Sequence, residues 1–383
     1  LLADAKRICE GQIGFWHGKK RSDLPFKSYT FLLNAVDEGY GGLEHRASTA
    51  LIAPRRDLPR QGHAEIGEGY LRLLGLISHE YFHSWNVKRL RPDAFAVLDY
   101  TRENYTELLW FFEGFTSYYD ELMLVRCGLI DEGRYLKLLA TSLSGVLATP
   151  GRKRQSLAQS SFEAWTKYYR PDENSVNSGI SYYSKGALVA LALDLSLREA
   201  GATLDELMRG LWQRSGGGPI AEADILAQLT DLGGAPLAQE LAQWVHGTSD
   251  LPLPALLERF GVLWRHDKPS LAQRLGLRVG ESALTGVQVK QVLSDSAAQR
   301  AGLCPGDEII GCNGWRLRRL DDALLSLPAG QDALRLLLAR DQRLLELELD
   351  LPAAHAEQAA VLLSPADKAP ARALGLRRAW LAG

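Results

Sequence analysis

The apolar positions of this chain change period part-way along, and the change divides it. From about Glu68 to Val87 they recur every three or four residues, so that Leu73, Leu74, Ile77, Tyr81 and Trp85 share one side of a predicted helix. Pro92 breaks the helix soon after, since proline lacks the N–H that a helix interior needs. A second helix is predicted to begin near Tyr105 and to continue through ELLWFFEGFTSYYDELMLV, and from Asp131 to about His246 the period is almost wholly helical. The exception there is Pro171–Ser181, crowded with turn formers, after which a helix is predicted from Tyr182 to about Arg198. Residues 1–60 read as short extended pieces and loops: Ser28–Val36 as a strand, residues 38–42 as a turn, and Leu43–Ala53 as another strand.

Gly247–Pro254 reads as a linker, and beyond it the period becomes two. Val287–Val292 alternates strictly, Leu334–Leu338 and Leu344–Leu349 are further strand candidates, and short helices are expected at Ala297–Ala301 and Asp321–Leu327. The pattern therefore predicts a multidomain α+β chain with three parts: residues 1–130, a helical region over 131–250, and a small β-rich domain over 255–352. The Ala-rich tail, 353–383, carries no assignment.

Composition narrows the function classes. At 383 residues there is room for two or three domains, and 46% hydrophobic with 23% charged residues is ordinary for a globular protein. A net charge of −2 gives no support to a nucleic-acid or anionic-membrane partner. No apolar run approaches the ~20 residues that span a bilayer. Cys9, Cys127, Cys304 and Cys312 are scattered, without metal-ligand spacing or a disulfide framework, and are read as free. The first residue is Leu and no signal peptide is visible, so the expectation is a processed chain or a fragment, with a cytoplasmic location favoured.

The candidate chemistry begins at His79-Glu80-Tyr81-Phe82-His83. One helical turn apart, His79 and His83 project from the same face and can reach one metal ion, while Glu80 beside them can take a proton from a water. A catalytic zinc usually takes three protein ligands. The best third candidate is Glu113, because Trp110, Phe111, Phe112, Phe115, Tyr118 and Tyr119 lie within six positions of it. Burying a carboxylate in such company costs several kcal/mol unless a cation compensates it. Asn86, Thr116, Ser117 and Asp120 are candidates to orient the imidazoles, and the sequence does not choose among them.

HEYFHSWNVKRLRP (79–92) followed by LWFFEGFTSYY (109–119) resembles the glycyl aminopeptidase family of zinc metallopeptidases, members of the gluzincin group. The 29 residues between His83 and Glu113 favour that family over the larger aminopeptidase family, whose third ligand lies closer to the histidines. The resemblance covers about residues 1–250, without the large N-terminal domain typical of the family. It implies a thermolysin-like catalytic domain, one Zn2+ held by His79, His83 and Glu113, and Glu80 as general base.

Two further motifs extend the resemblance. Gly41-Gly42-Leu43-Glu44-His45 resembles the strand along the substrate cleft, which implies that Gly42 and Glu44 bind substrate, with Glu44 taking the free α-amino group. His45 stands where the larger family has asparagine. Tyr183-Ser184-Lys185-Gly186 resembles a tyrosine-x-lysine-glycine motif, which implies that the Tyr183 hydroxyl donates to the developing oxyanion. Read without the family, Glu44 is a turn residue and Tyr183 a packed aromatic.

Leu275–Val279 and SDSAAQRAGLCPGDEIIGCNGWRL (294–317) resemble a PDZ domain, which implies a C-terminal peptide ligand at the loop Gly276-Leu277-Arg278. The whole reads as a zinc aminopeptidase acting on peptides with a free N-terminus, with small first residues such as Gly or Ala implied by the family. The alternatives are a zinc endopeptidase of the same fold, if Glu44 does not face the amine, and an inactive PDZ-containing scaffold.

Overall fold

The computed structural model describes residues 1–18, 23–60, 62, 66–282, 284–327 and 332–383. Its first element is a helix, α1 (Leu2–His17), where extended pieces were expected. Ile8, Gln12, Phe15 and Trp16 form its buried side at helical spacing, but Gly11 and Gly14 weaken the local helical signal. β1 (Thr30–Val36) follows, and the single strand expected over Leu43–Ala53 proves to be two. β2 (Gly41–Glu44) and β3 (Ser48–Pro54) form a hairpin whose turn is closed by the His45 N–H donating to the Ser48 carbonyl at 2.8 Å. Gly41 and Gly42, expected in a turn, thus belong to β2. β3 is central, parallel to β1 and antiparallel to β2.

α2 (Glu68–Phe82) packs on this sheet and buries Leu73, Leu74, Ile77 and Tyr81. It ends at Phe82, with His83 as C-cap, rather than continuing to Val87. β4 (Arg91–Pro92) comes next. The helix expected from Tyr105 begins only at Leu109 and is interrupted at Glu113, giving α3 (Leu109–Phe112) and α4 (Gly114–Arg126).

The helical region comprises α5 (Glu132–Leu147), α6 (Leu157–Phe162), α7 (Ser175–Ser178, inside the expected loop) and α8 (Tyr182–Glu199). α9 (Leu204–Ser215), β5 (Pro219–Ile220, parallel to β4), α10 (Glu222–Gly233), α11 (Ala235–His246) and α12 (Leu253–Arg259) complete it. α8 is apolar on every side from Leu188 to Leu197, apart from Asp194 and Ser196, because it runs through the middle of the core.

After β6 (Val262–His266) a second, separate core begins. Its elements are α13 (Leu271–Leu275), β7 (Leu277–Ser282), β8 (Gly286–Val292), α14 (Ala297–Arg300), β9 (Glu308–Cys312), β10 (Trp315–Arg316), a 3-10 turn at Leu320–Ser326, β11 (Ala333–Arg340) and β12 (Arg343–Asp350). The strands lie in the order β12-β11-β9-β8-β7, antiparallel throughout, with β7 at an edge.

The tail returns to the first core. β13 (Val361–Pro365) pairs antiparallel with β6, and α15 (Ala371–Ala382) packs against α4 and α8. Trp380 there is fully buried and donates from Nε1 to the Tyr118 hydroxyl at 2.8 Å, which donates in turn to Asp194 at 2.7 Å. The fold is a multidomain α+β arrangement. Among the described residues no helix is long and apolar enough to cross a membrane, and all four cysteines are free.

Candidate active site

His79 and His83 sit at the C-terminal end of α2, their ring centroids 4.6 Å apart. The break at Glu113 lets that side chain leave the α3–α4 axis and reach both imidazoles. Its Oε2 lies 3.4 Å from His79 Nε2 and 3.3 Å from His83 Nε2, and one ligand atom from each of the three residues falls within 4.8 Å of the others.

The outward ring nitrogens are held. His79 Nδ1 meets Asp120 Oδ2 at 2.9 Å, and His83 Nδ1 meets the Asn86 carbonyl at 2.8 Å. With an N–H on each Nδ1, both Nε2 lone pairs face Glu113. Asn86 is itself anchored, donating from Nδ2 to the Phe112 carbonyl at 3.2 Å and to Thr116 Oγ1 at 3.1 Å. Of the four orienting candidates, Asp120 and Asn86 touch the imidazoles and Thr116 braces Asn86. Ser117 donates its N–H to the Glu113 carbonyl at 2.8 Å, and among the described residues its hydroxyl makes no hydrogen bond to either imidazole.

These distances test whether a metal fits. Glu113 Oε2 is shielded from solvent and has no hydrogen-bond partner, although two imidazole nitrogens face it. A charge-assisted hydrogen bond would close to about 2.7–2.9 Å. Nitrogen and oxygen ligands about 2.0–2.1 Å from a tetrahedral cation stand about 3.3 Å from one another. The two Glu113–imidazole separations match that spacing, so the donor set fits a small divalent ion. Burial drives the Glu113 carboxyl upward, but His83 and His79 outweigh it and hold the group well below the usual carboxylate range.

Glu80 is buried beside the cluster, and that burial pushes its carboxyl up. Thr49 Oγ1 on β3 lies 3.4 Å from Glu80 Oε2, a long contact, and donates to the Leu43 carbonyl at 3.1 Å. Gly42 on β2 backs onto the same carboxylate: a Cβ there would overlap it. The strand approaches the base only because position 42 has no side chain.

Glu44 lies farther along β2, with Lys88 Nζ 2.8 Å from its Oε1. Burial raises its carboxyl, but His83 and Lys88 together bring it below the ordinary value. His45 is exposed and its Nδ1 lies 3.1 Å from the Leu43 carbonyl. Tyr183, in the first turn of α8, places its ring centroid 6.2 Å from that of His79 and its hydroxyl 3.2 Å from the Tyr169 hydroxyl. Burial and then the Glu113 charge push its phenol far up, so the hydroxyl keeps its proton.

The structure thus brings His79, His83, Glu113, Glu80, Gly42, Glu44 and Tyr183 to one place from β2, α2 and α8 and the α3–α4 break. Sequence reasoning missed Thr49, Lys88 and Tyr169. Lys88 stood inside a quoted motif, where its charge was the available signal. Thr49 and Tyr169 carried none. Gly276, Leu277 and Arg278 lie far along the chain at the start of β7. Gly276 caps α13 in the left-handed region (φ 75°), and Arg278 donates to the Ala148 carbonyl at 3.2 Å and to Thr149 Oγ1 at 3.3 Å. A cavity of about 510 Å³ opens between this loop and the end of α5.

A buried carboxylate beside a two-histidine, one-glutamate cluster, on a helix packed against an edge strand, makes a candidate metal centre with an acid–base group at its side. The chain carries an M61 glycyl aminopeptidase domain, matched over residues 72–189, and a PDZ domain, matched over residues 265–328. An aminopeptidase N family protein from Idiomarina loihiensis shares 37% identity and superposes with a TM-score of 0.89, over 99% of this chain and 66% of that one. An M1 zinc metallopeptidase from Deinococcus radiodurans aligns at 20% identity and a TM-score of 0.44, over 66% of this chain and 46% of that one. No curated protein matches the chain.

Proposed function

We propose that the chain is a zinc aminopeptidase that hydrolyses the first peptide bond of peptides with a free amino terminus. The observation that carries this is the placement of Glu113 Oε2 3.4 and 3.3 Å from the two Nε2 atoms, longer than a charge-assisted hydrogen bond prefers and close to the separation of two ligands on one ion. Zinc bound by His79, His83 and Glu113 would activate a water and polarise the scissile carbonyl. Glu80 takes the attacking water's proton and delivers it to the leaving amine, and its raised affinity for a proton suits both steps. Tyr183 keeps its proton and donates a hydrogen bond where negative charge develops. Glu44 accepts the α-ammonium and so sets the cut one residue in. A preference for small first residues, Gly or Ala, rests on the family alone.

One observation favours a second reading, endopeptidase action: Lys88 already occupies Glu44. The PDZ part is proposed to take an extended peptide. β7 has a free edge for strand addition, and Gly276-Leu277-Arg278 stands where a carboxylate would be received.

The test measures zinc content and then cleavage of free and N-acetylated glycyl and alanyl peptides. Stoichiometric zinc with cleavage of the free peptides alone supports the proposal. Equal cleavage of both favours the endopeptidase. Absence of zinc sinks the mechanism.

A further inference from the structure

Lys88 lies where the chain leaves the metal-site helix, and its position is enforced. The residue before it, Val87, has φ 138°, a region that β-branched side chains rarely adopt. Such strain persists where the surroundings over-determine the backbone, and it gathers at ligand-handling sites. The Lys88 N–H donates to the His83 carbonyl at 3.0 Å, so the segment is tied directly to the metal-site helix. What the turn delivers is an ammonium 2.8 Å from Glu44 Oε1, with Lys88 30% and Glu44 20% exposed.

Two features separate this pair from an ordinary surface bridge. Glu44 stands close enough to Glu80 and Glu113 for the three carboxylates to repel one another, so a cation at Glu44 relieves charge in the reaction cleft itself. The mechanical tie between this segment and the β2–β3 turn belongs to the next residue. Arg89 donates to the carbonyls of Ser84 (2.6 Å), Arg46 (3.0 Å) and Pro25 (2.8 Å). Lys88 is therefore not required as a strut.

We propose that Lys88 is a specificity-determining residue: its ammonium holds the place of the substrate's α-ammonium on Glu44 and must yield it when an amino terminus enters. This rests on the aminopeptidase reading of Glu44. The incoming amine either displaces Lys88, whose flexible four-carbon stem lets it swing to solvent, or shares the carboxylate with a like charge. Both routes weaken amine binding. Removing Lys88 takes away the one cation in direct contact with this part-buried carboxylate among the described residues, which then favours a cation offered to it. The residue so keeps Glu44 compensated between turnovers and moderates its grip on the product amine.

The test uses the metal-loaded protein with Glu80→Gln, so that peptide is not consumed, and calorimetry with triglycine and N-acetyl-triglycine. Adding Lys88→Met or Lys88→Gln is expected to tighten triglycine ~fivefold, since a pair of this exposure is worth up to about 1 kcal/mol. N-acetyl-triglycine should stay within about twofold, and Lys88→Arg should match the parent. A parent without preference for the free amine overturns this inference together with the role given to Glu44. A parent with that preference, left unchanged or weakened for both peptides by Lys88→Met and Lys88→Gln, overturns this inference alone and makes Lys88 a strut.

Discussion

Gly114 and Gly186 meet backbone to backbone where α4 crosses α8: a Cβ built on Gly114 would lie 2.6 Å from the Gly186 Cα. The contact sets the site, because Glu113 immediately precedes Gly114 and Tyr183 lies one turn before Gly186. Neither main chain can give way, so Gly114→Ala is expected to destabilise by about 1–3 kcal/mol or more, as overpacking does. Denaturant midpoints would show it. Gly75→Ala, in the interior of α2 with open space around it, is the opposite case and should stabilise by about 0.5–1 kcal/mol.

Gly42→Ala should separate stability from catalysis. The atoms that a Cβ would meet belong to the Glu80 side chain and not to any main chain, so the clash falls on the base and is expected to spare the fold. A base displaced by about 1 Å can lose about 10²-fold in rate. The expected result is a near-native melting temperature and unchanged metal content, with kcat down about 10²-fold. A fully active variant would show that Glu80 need not be where it stands.

Much of this was legible in the sequence, and the reasons differ by residue. His79, Glu80 and His83 are fixed relative to one another by helical period alone. Glu113 was singled out because a carboxylate among aromatics needs a counter-charge, and it lies against both histidines. Glu44 and Tyr183 were reached only through motif resemblance, since each alone reads as a turn residue or packed aromatic. Lys88 and Thr49 escaped because their partners come from other elements, and no local period reports that. The α1 helix was hidden by its glycines, and the tail by an alanine-rich composition that says nothing about where it docks.

That tail gives a further prediction. Trp380 fills the first core beside α4 and links through Tyr118 to Asp194. Trp380→Ala is expected to cost about 3–5 kcal/mol, measured by urea unfolding. A change under 1 kcal/mol would mean that α15 does not complete the peptidase core.

Tyr183→Phe removes the hydroxyl and keeps the ring. Loss of one oxyanion donor costs about 10²–10³ in kcat. KM and zinc content should not move, because Tyr183 is neither a ligand nor the amine contact. An unchanged kcat would pass the donor role to another group, and Tyr169, whose hydroxyl lies 3.2 Å away, is the nearest claimant.

The central claim is that Glu80 acts as the base of a zinc-dependent hydrolysis. It is tested most directly by the rate at which zinc-loaded Glu80→Gln cleaves a glycyl or alanyl peptide, compared with the parent chain at equal zinc content. The account predicts equal metal occupancy and a rate about 10²–10⁴-fold lower, the usual worth of a positioned general base. A Glu80→Gln rate equal to the parent's would contradict it.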